Sequence, residues 1–158
     1  MVRYDFMSSQ PRISIIIVSW NGRDLLERCL SSLHRHVSTS HEVIVVDNHS
    51  TDGLPTMVVE KFPSVNLIRN TSNRGFSAAN NQGLAIATGQ AVCFFNADTE
   101  FTDDPFPMLL AELDQAPQSG AVGPRLLNDD GSIQDSIRRF PRWSDQVVTL
   151  LKLRHALR

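Results

Sequence analysis

Short apolar runs alternate with amphipathic segments along most of the chain. Four runs predict strands, because each is short, apolar and bounded by polar turn residues. They cover residues 13–18, 43–46, 65–69 and 91–95. Between and after them, periodic segments predict helices at residues 23–36, 56–62, 76–88 and 105–115. A fifth strand is predicted at residues 121–127, before an Asn-Asp-Asp-Gly turn.

Strands that alternate with helices predict an α/β domain with a largely parallel sheet and right-handed crossovers. The run Val43 to Val46 is β-branched throughout, as expected of a parallel strand covered on both faces. In the first helix, apolar residues recur at helical spacing: Leu25, Leu26, Cys29, Leu30 and Leu33. In the third helix, the residues expected to pack are Ala78, Ala79, Leu84, Ala85 and Ile86.

Composition narrows the class of protein. A chain of 158 residues with 41% hydrophobic and 20% charged residues is typical of one globular domain. The net charge of −2 offers no basic field for nucleic acid, so no nucleic-acid partner is expected. Cys29 and Cys93 lie far apart and are interpreted as reduced core thiols, which favours a cytoplasmic protein. Neither a signal peptide nor a membrane-spanning run is visible.

Polar clusters follow two of the predicted strands directly. Asp47 comes after the second strand and Asp98 shortly after the fourth. Ligands of open α/β sheets bind beyond the carboxyl ends of the strands, and a carboxylate there can hold a divalent cation against a diphosphate. Ser50, Thr51 and Asp52 can cap the helix that follows Asp47, and a simple strand-to-helix turn is the favoured interpretation of the two hydroxyl residues.

Four nucleotide-binding or phosphate-binding classes lack their signatures. No glycine triad follows the first strand and no P-loop is present, which argues against dinucleotide and P-loop proteins. A phosphorylation-dependent signalling domain also places acids at strand ends, but it needs a lysine at the end of a late strand, and residues 121–127 end in none. A nucleotidyltransferase would usually carry a Gly-rich basic loop where this chain has Ser19, Trp20, Asn21 and Gly22.

Four motifs in order carry a family resemblance. They are IIIVSWNG at 15–22, VVDNHSTDG at 45–53, NRGFSAANN at 73–81 and FNAD at 95–98. Together they resemble the inverting glycosyltransferases of family 2, and the third and fourth look like the rhamnosyltransferase-like branch. The resemblance implies a GT-A nucleotide-diphospho-sugar transferase fold, a Rossmann-like and mostly parallel sheet flanked by helices, over residues 13–142. Residues 1–12 are expected to form a flexible leader.

The resemblance also implies a function. The protein would transfer a sugar, with rhamnose as a candidate, from a dTDP- or UDP-linked donor to a saccharide or lipid-linked acceptor in cell-envelope polysaccharide synthesis. The alternative is a donor-binding fragment without transfer activity. The nucleotide-binding residues implied by the motifs are Ser19, Trp20, Asn21, Asp47, Asn48, Ser50, Arg74, Gly75, Asn80 and Asn96.

Four of these residues have properties that suit the roles implied by the resemblance. Asp47 would accept a hydrogen bond from the N3–H of uracil or thymine, because an unpaired buried acceptor is costly. Trp20 would stack on the pyrimidine or, equally well, be a core aromatic. Arg74 would offset diphosphate charge or be a solvated surface arginine. Gly75 would permit a tight turn before the helix.

The implied cofactor is a divalent metal. Asp98 would coordinate Mg²⁺ or Mn²⁺ bound to the diphosphate, and so neutralise the leaving group. The family motif is usually Asp-x-Asp, and Asn96 stands at its first position here.

The general base that an inverting mechanism requires is not recognisable after Asp98. This predicts the donor-binding half of a longer enzyme, whose base lies elsewhere. Residues 143–158 predict a basic amphipathic helix. Packing against the missing acceptor half is preferred for this helix, and peripheral contact with the inner face of the membrane is the alternative.

Overall fold

In a computed structural model of the protein, residues 10–136 are described. The elements are β1 (Ile13–Ser19), α1 (Arg23–His36), β2 (His41–Asp47), α2 (Leu54–Lys61), β3 (Asn66–Arg69), α3 (Phe76–Ile86), β4 (Ala91–Asn96) and α4 (Phe106–Gln115). The four strands form one sheet in the order β3-β2-β1-β4. Every pairing is parallel, which confirms the predicted α/β class.

Helices cover both faces of the central strands. Ile15 and Ile17 of β1 and Val45 of β2 face a core that includes residues of α1, α2 and α4. Ile16 and Ile44 point to the other face, where Ala79 of α3 covers them. Burial on both faces explains why these strands are apolar throughout rather than alternating.

The helix α3 packs on the sheet through its small residues. Ala79 and Gly83 are buried, and a Cβ at Gly83 would stand 2.6 Å from Cγ2 of Ile16. Leu84 and Ile86 are 45% and 47% exposed, so the expectation that they pack on the core is wrong. The close approach of the helix to β1 selects the small face, because the bulky side chains do not fit between the two backbones.

Three elements differ from their predicted bounds by two residues at one end, each for a local reason. The strand β2 runs from His41 to Asp47, since its ladder with β1 continues into the polar residue at each end. Helix α2 begins at Leu54, directly after Gly53 in the left-handed region (φ 83°). Helix α3 ends at Ile86, because the N–H of Thr88 bonds Glu42 instead of a helical carbonyl.

The predicted fifth strand is absent. Residues 121–126 form no strand, and Leu127 makes an isolated antiparallel bridge to Ile133. Pro124 lacks a backbone N–H and is therefore a poor residue for a strand interior. Two compact units divide at this point, Met1–Val122 and Gly123–Arg158. The predicted amphipathic helix at 143–158 and most of the predicted leader lie outside the described residues.

Within residues 10–136, none of the helices combines the length and the apolar character needed to cross a bilayer.

A partly buried polar cluster lies at the amino-terminal edge of the sheet. Oε1 of Glu42 accepts hydrogen bonds from Oγ of Ser14 (2.6 Å) and from the N–H of Thr88 (2.6 Å). Oγ of Ser14 in turn accepts the N–H of Gly89 at 2.8 Å. Burial alone would raise the pKa of Glu42, but the bonds from Ser14, Thr88 and Gly89 outweigh it and lower that pKa.

Gly89→Ala is expected to destabilise the fold through this cluster. A Cβ at Gly89 would stand 2.5 Å from N of Ser14 and 2.7 Å from C of Ile13, and both are backbone atoms that cannot step aside. We expect a loss of about 1–3 kcal/mol, typical of overpacking, measured by urea unfolding. Gly120→Ala is the matched control, because its Cβ meets nothing within 4 Å. Equal stability of the two variants would contradict the steric argument.

Candidate functional site

The carboxyl ends of three strands bring the candidate residues to one edge of the sheet. Ser19 of β1 pairs with Asp47 of β2, and Val18 pairs with Asn96 of β4. The N–H of Asn48 donates to the carbonyl of Ser19 at 2.8 Å, which extends the ladder by one bond. Parallel pairing thus places the ends of the first, second and fourth motifs side by side, as expected for a ligand site of an open α/β sheet.

Asp47 combines burial with one oxygen that no described residue uses. The residue is 2% exposed, and its Oδ1 accepts the N–H of Ser50 at 2.9 Å. Its backbone carbonyl accepts the N–H of Asn70, also at 2.9 Å. Among residues 10–136, no donor bonds Oδ2. The bond from Ser50 to Oδ1 therefore orients the carboxylate, and Oδ2 remains an acceptor that no residue in 10–136 occupies.

The loops after β1 and β2 are tied to each other. The N–H of Asn21 donates to Oγ of Ser50 at 2.9 Å, and Oδ1 of Asn21 accepts the N–H of Thr51 at 2.8 Å. Asn21 adopts a left-handed conformation (φ 51°), which asparagine tolerates better than most residues. Ser50 and Thr51 therefore do not cap α2. They tie the strand-to-helix turn to the loop after β1, which agrees with their favoured interpretation as turn residues.

Asp52 does serve helix ends. Its Oδ1 accepts the N–H of Leu54, the first residue of α2, at 3.1 Å. Its Oδ2 accepts the N–H of Arg23, the first residue of α1, at 2.9 Å. One carboxylate thus accepts an otherwise unpaired backbone N–H from each of the two helices. These bonds fix the loops after β1 and β2 above the sheet edge.

A network of side-chain amides fixes the third motif. Asn48, 3% exposed, accepts the N–H of Arg74 (2.9 Å) and Nδ2 of Asn70 (3.1 Å) through its Oδ1. Its Nδ2 donates to Oδ1 of Asn73 at 2.8 Å, and that oxygen also accepts the N–H of Gly75. The side chain of Asn48 therefore positions the loop before α3, and nucleotide contact by Asn48 stays a prediction.

Asn70 and Gln82 extend this network and were missed from the sequence. Their side chains exchange two hydrogen bonds of 2.9 Å each, which fastens the loop to α3. A signal for Asn70 existed, because it follows β3 directly at the same sheet edge. Nothing in the sequence marks Gln82, whose partner lies twelve positions away and becomes visible only in the fold.

The remaining residues of the third motif divide between surface and helix. Arg74 is exposed and forms no salt bridge with any residue in 10–136. Gly75 adopts φ 80° and ψ 163°, a region open to glycine almost alone. The backbone directly before α3 therefore requires glycine at this position. Asn80 is buried, and its Nδ2 donates to the carbonyl of Phe76 within α3.

Trp20 is 59% exposed directly after β1. This exposure excludes the interpretation as a core aromatic and leaves an aromatic face at the edge of the sheet. Trp20 follows Ser19, which pairs with Asp47, so an exposed indole and an oriented carboxylate occur at the same edge of the sheet. A planar base suits such an edge, because its ring can stack on an indole while a carboxylate accepts from its edge.

Asp98 lies in the turn that follows β4. The N–H of Thr99 donates to the carbonyl of Asn96 at 3.2 Å, and Asp98 is exposed within that turn. No cluster of three or more Asp, Glu, His or Cys residues exists in the described part of the chain. This donor set fits Mg²⁺ or Mn²⁺ bound through one carboxylate together with phosphate oxygens and water, and it does not fit an all-protein metal cage.

The neighbouring acid Asp104 is engaged elsewhere. Its Oδ2 accepts the N–H groups of Thr39 (2.8 Å) and Ser38 (2.9 Å). Burial alone would raise the pKa of Asp104, but these hydrogen bonds outweigh it and lower the pKa. Asp104 therefore stays ionised as a structural acceptor, while Asp98 presents its charge outward.

Comparison with known proteins gives a consistent result. The profile of glycosyl transferase family 2 matches residues 14–155. An N-acetylglucosaminyl-diphospho-decaprenol L-rhamnosyltransferase of Mycobacterium tuberculosis is 29% identical over 140 residues, which are 82% of this chain and 46% of that protein.

Two solved structures show the fold. S. aureus TarS 1–349 in complex with UDP has a TM-score of 0.59 at 26% identity, covering 67% of this chain and 33% of that one. A mannosyltransferase from Pyrobaculum calidifontis, in complex with GDP-Man and Mn²⁺, has a TM-score of 0.58 at 30% identity, covering 73% and 35%.

The parallel sheet flanked by helices is thus the fold of GT-A transferases. The chain belongs to glycosyl transferase family 2, which confirms the resemblance of its motifs. It spans less than half the length of the mycobacterial relative and about a third of each of these solved chains.

Proposed function

We propose that the protein takes part in the transfer of a sugar from a nucleotide-diphosphate donor to a hydroxyl acceptor during cell-envelope polysaccharide synthesis. Two other similar proteins carry names of the same kind: the O-antigen biosynthesis protein RfbC of Myxococcus xanthus and the putative colanic acid glycosyl transferase WcaA of Escherichia coli. Rhamnose is the candidate sugar, on the strength of the mycobacterial rhamnosyltransferase, and the acceptor would be a saccharide or a lipid-linked saccharide.

The observation that carries this proposal is the convergence of Asp47, Trp20 and Asp98 on the carboxyl edge of the sheet. Asp47 would accept the N3–H of a uracil or thymine through Oδ2, since Oδ1 is already bonded to Ser50. Trp20 would stack on that base, and the nucleotide-binding roles of Ser19, Asn21 and Asn96 are proposed with it.

The diphosphate would lie between the third and fourth motifs. Arg74 would offset its charge, and the backbone of the Gly75 turn would allow a close approach. Asp98 would hold Mg²⁺ or Mn²⁺, whose charge would stabilise the leaving nucleotide diphosphate as the glycosidic bond breaks. The acceptor hydroxyl would attack the anomeric carbon from the opposite face after losing its proton to a general base. No described residue is assigned that role.

The first test is a calorimetric titration of the protein with UDP, dTDP, ADP and GDP, with Mn²⁺ and with EDTA. We expect UDP or dTDP to bind about 10-fold or more tightly than ADP, because adenine has no ring N–H to satisfy Asp47 and one charged hydrogen bond is worth about 1.5–3 kcal/mol. We expect Mn²⁺ to strengthen binding of the preferred nucleotide.

The alternatives give different results in the same titration. A preference for GDP would show that the recognised base is guanine rather than a pyrimidine. Equal affinity for all four nucleotides would refute base recognition by Asp47. A separate transfer assay tests the donor-binding alternative: tight nucleotide binding, with no sugar transferred from labelled dTDP-rhamnose or a UDP-sugar to a cell-envelope acceptor extract, would support it for this chain.

A further inference from the structure

The loop that carries Asp98 is attached to α1 at both of its ends. Sγ of Cys29 lies 3.9 Å from the carbonyl oxygen of Asn96, two residues before Asp98. Oγ of Ser32 accepts the N–H of Phe101 at 3.0 Å, three residues after Asp98. Cys29 and Ser32 are three positions apart on α1 and so share one helix face.

The Ser32 attachment is buried, the Cys29 attachment is partly buried, and each has a defined donor and acceptor. Ser32 is 4% exposed, and its hydroxyl proton is donated to the carbonyl of Cys29 at 2.8 Å, which leaves an Oγ lone pair for Phe101. Burial, with smaller contributions from Glu100 and Asp98, raises the pKa of the Cys29 thiol to about 12. The thiol therefore keeps its proton and can donate, weakly, to the carbonyl of Asn96.

The interior of the loop adds its own constraints. The carbonyl of Asn96 that faces Cys29 also accepts the N–H of Thr99, which closes the turn around Asp98. The rings of Phe95 and Phe101 stack with centroids 4.4 Å apart and planes at 13°. The exposed Asp98 thus projects from a short loop whose two ends are held by one helix and by each other.

We infer that Ser32, assisted by Cys29, is a positioning residue that sets the Asp98 carboxylate for a divalent cation and a nucleotide diphosphate. This inference rests on the proposed function. A carboxylate on a loop free to move would have to be ordered when the cation binds, whereas these contacts order it beforehand. Groups that orient metal ligands typically account for about 10–100-fold in metal affinity, and Ser32 acts through the backbone, so we expect the lower figure.

The decisive comparison is Ser32→Ala against Ser14→Ala. Both serines are buried, and both hydroxyls accept a backbone N–H, from Phe101 and from Gly89 respectively. Ser14 lies at the opposite edge of the sheet, so it controls for loss of a buried hydrogen bond without disturbing the Asp98 loop. UDP or dTDP binding is titrated calorimetrically at several Mn²⁺ concentrations and in EDTA.

We expect Ser32→Ala to raise the Mn²⁺ concentration needed for half-maximal enhancement about 10-fold, with affinity in EDTA unchanged. Ser14→Ala should leave both values as in the parent protein. Amide hydrogen exchange should accelerate at Thr99 and Phe101 in Ser32→Ala alone. If Ser32→Ala does not fold, Cys29→Ala takes its place at a smaller expected effect, with Cys29→Ser, which retains a donor, as the conservative rescue.

Other outcomes overturn the inference separately from the proposed function. If Asp98→Asn removes the Mn²⁺ enhancement but neither Ser32→Ala nor Cys29→Ala changes it, the metal role of Asp98 survives and positioning by α1 is wrong. If Ser32→Ala and Ser14→Ala weaken Mn²⁺ binding equally, the effect is general destabilisation and positioning is again wrong. If the parent protein shows no Mn²⁺ enhancement at all, the metal role and the inference fail together.

Discussion

Asp98→Asn is expected to remove nearly all of the Mn²⁺ or Mg²⁺ enhancement of nucleotide-diphosphate binding, a loss of about 100-fold or more in apparent cation affinity. Asp98 is exposed in the turn after β4, and no cluster of further acidic, histidine or cysteine ligands exists among residues 10–136 to replace it. A neutral amide is a much weaker ligand than a carboxylate for a hard cation that depends on charge. Since even groups that only orient a metal ligand are worth about 10–100-fold, losing the ligand itself should cost at least the upper figure.

Asp103→Asn is the matched control for this prediction. It is the same substitution at another exposed acid, five positions along the chain. Asp104→Asn should also leave the cation dependence intact, but it should lower stability, because Asp104 accepts hydrogen bonds from Ser38 and Thr39. The measurement is a Mn²⁺ titration of UDP or dTDP affinity for each variant. Unchanged nucleotide affinity on chelation of divalent ions in the parent protein would show that the metal role is wrong.

The sheet was predictable from the sequence because local signals and the fold agree. Continuous β-branched runs indicate strands covered on both faces, and the structure buries Ile15, Ile16, Ile44 and Val45 in two separate cores. Polar residues directly after such runs mark the carboxyl edge. Asp47 and Asn96 therefore lie at the same carboxyl edge of the sheet as expected, because parallel strands run in the same direction.

The packing of α3 was not predictable in the same way. The sequence offered Leu84 and Ile86 for packing alongside alanines of the same helix, but the structure turns only the small residues Ala79 and Gly83 into the core against β1. The deciding quantity is the distance between helix and strand, which is short enough that a Cβ at Gly83 would meet Ile16 at 2.6 Å. Periodicity counts apolar residues and carries no information about that distance.

The side-chain hydrogen bonds that hold the loops of the candidate site could not be predicted from the sequence either. The family resemblance implied nucleotide binding by Asn48 and Ser50, and the structure shows that their side chains also bond Asn73 and Asn21. Which partner a side-chain amide or hydroxyl finds depends on the relative placement of loops far apart in sequence. Motif position could locate the site, but it could not separate residues that would touch a ligand from residues that hold the loops.

Asp47→Asn is expected to weaken UDP or dTDP binding by about 10–150-fold and to shift base preference toward CDP. Asparagine can keep Oδ1 as the acceptor for the N–H of Ser50, so its Nδ2 would take the place of Oδ2. That amide donor opposes the N3–H of uracil but matches the unprotonated N3 of cytosine. Asp47→Ala would be less informative, because it also leaves the N–H of Ser50 without its partner.

Pyrophosphate with Mn²⁺ provides the internal control, because it has no base and should bind Asp47→Asn as it binds the parent protein. Calorimetric titration with UDP, dTDP, CDP and pyrophosphate separates the two halves of the site in one series. A parallel loss for all four ligands would mean that the Asp47 carboxylate supports the whole sheet edge, through its bond to the N–H of Ser50. Weaker binding of UDP together with stronger binding of CDP requires that Oδ2 of Asp47 face the base. No general weakening of the site can strengthen binding of one pyrimidine nucleotide while weakening binding of the other.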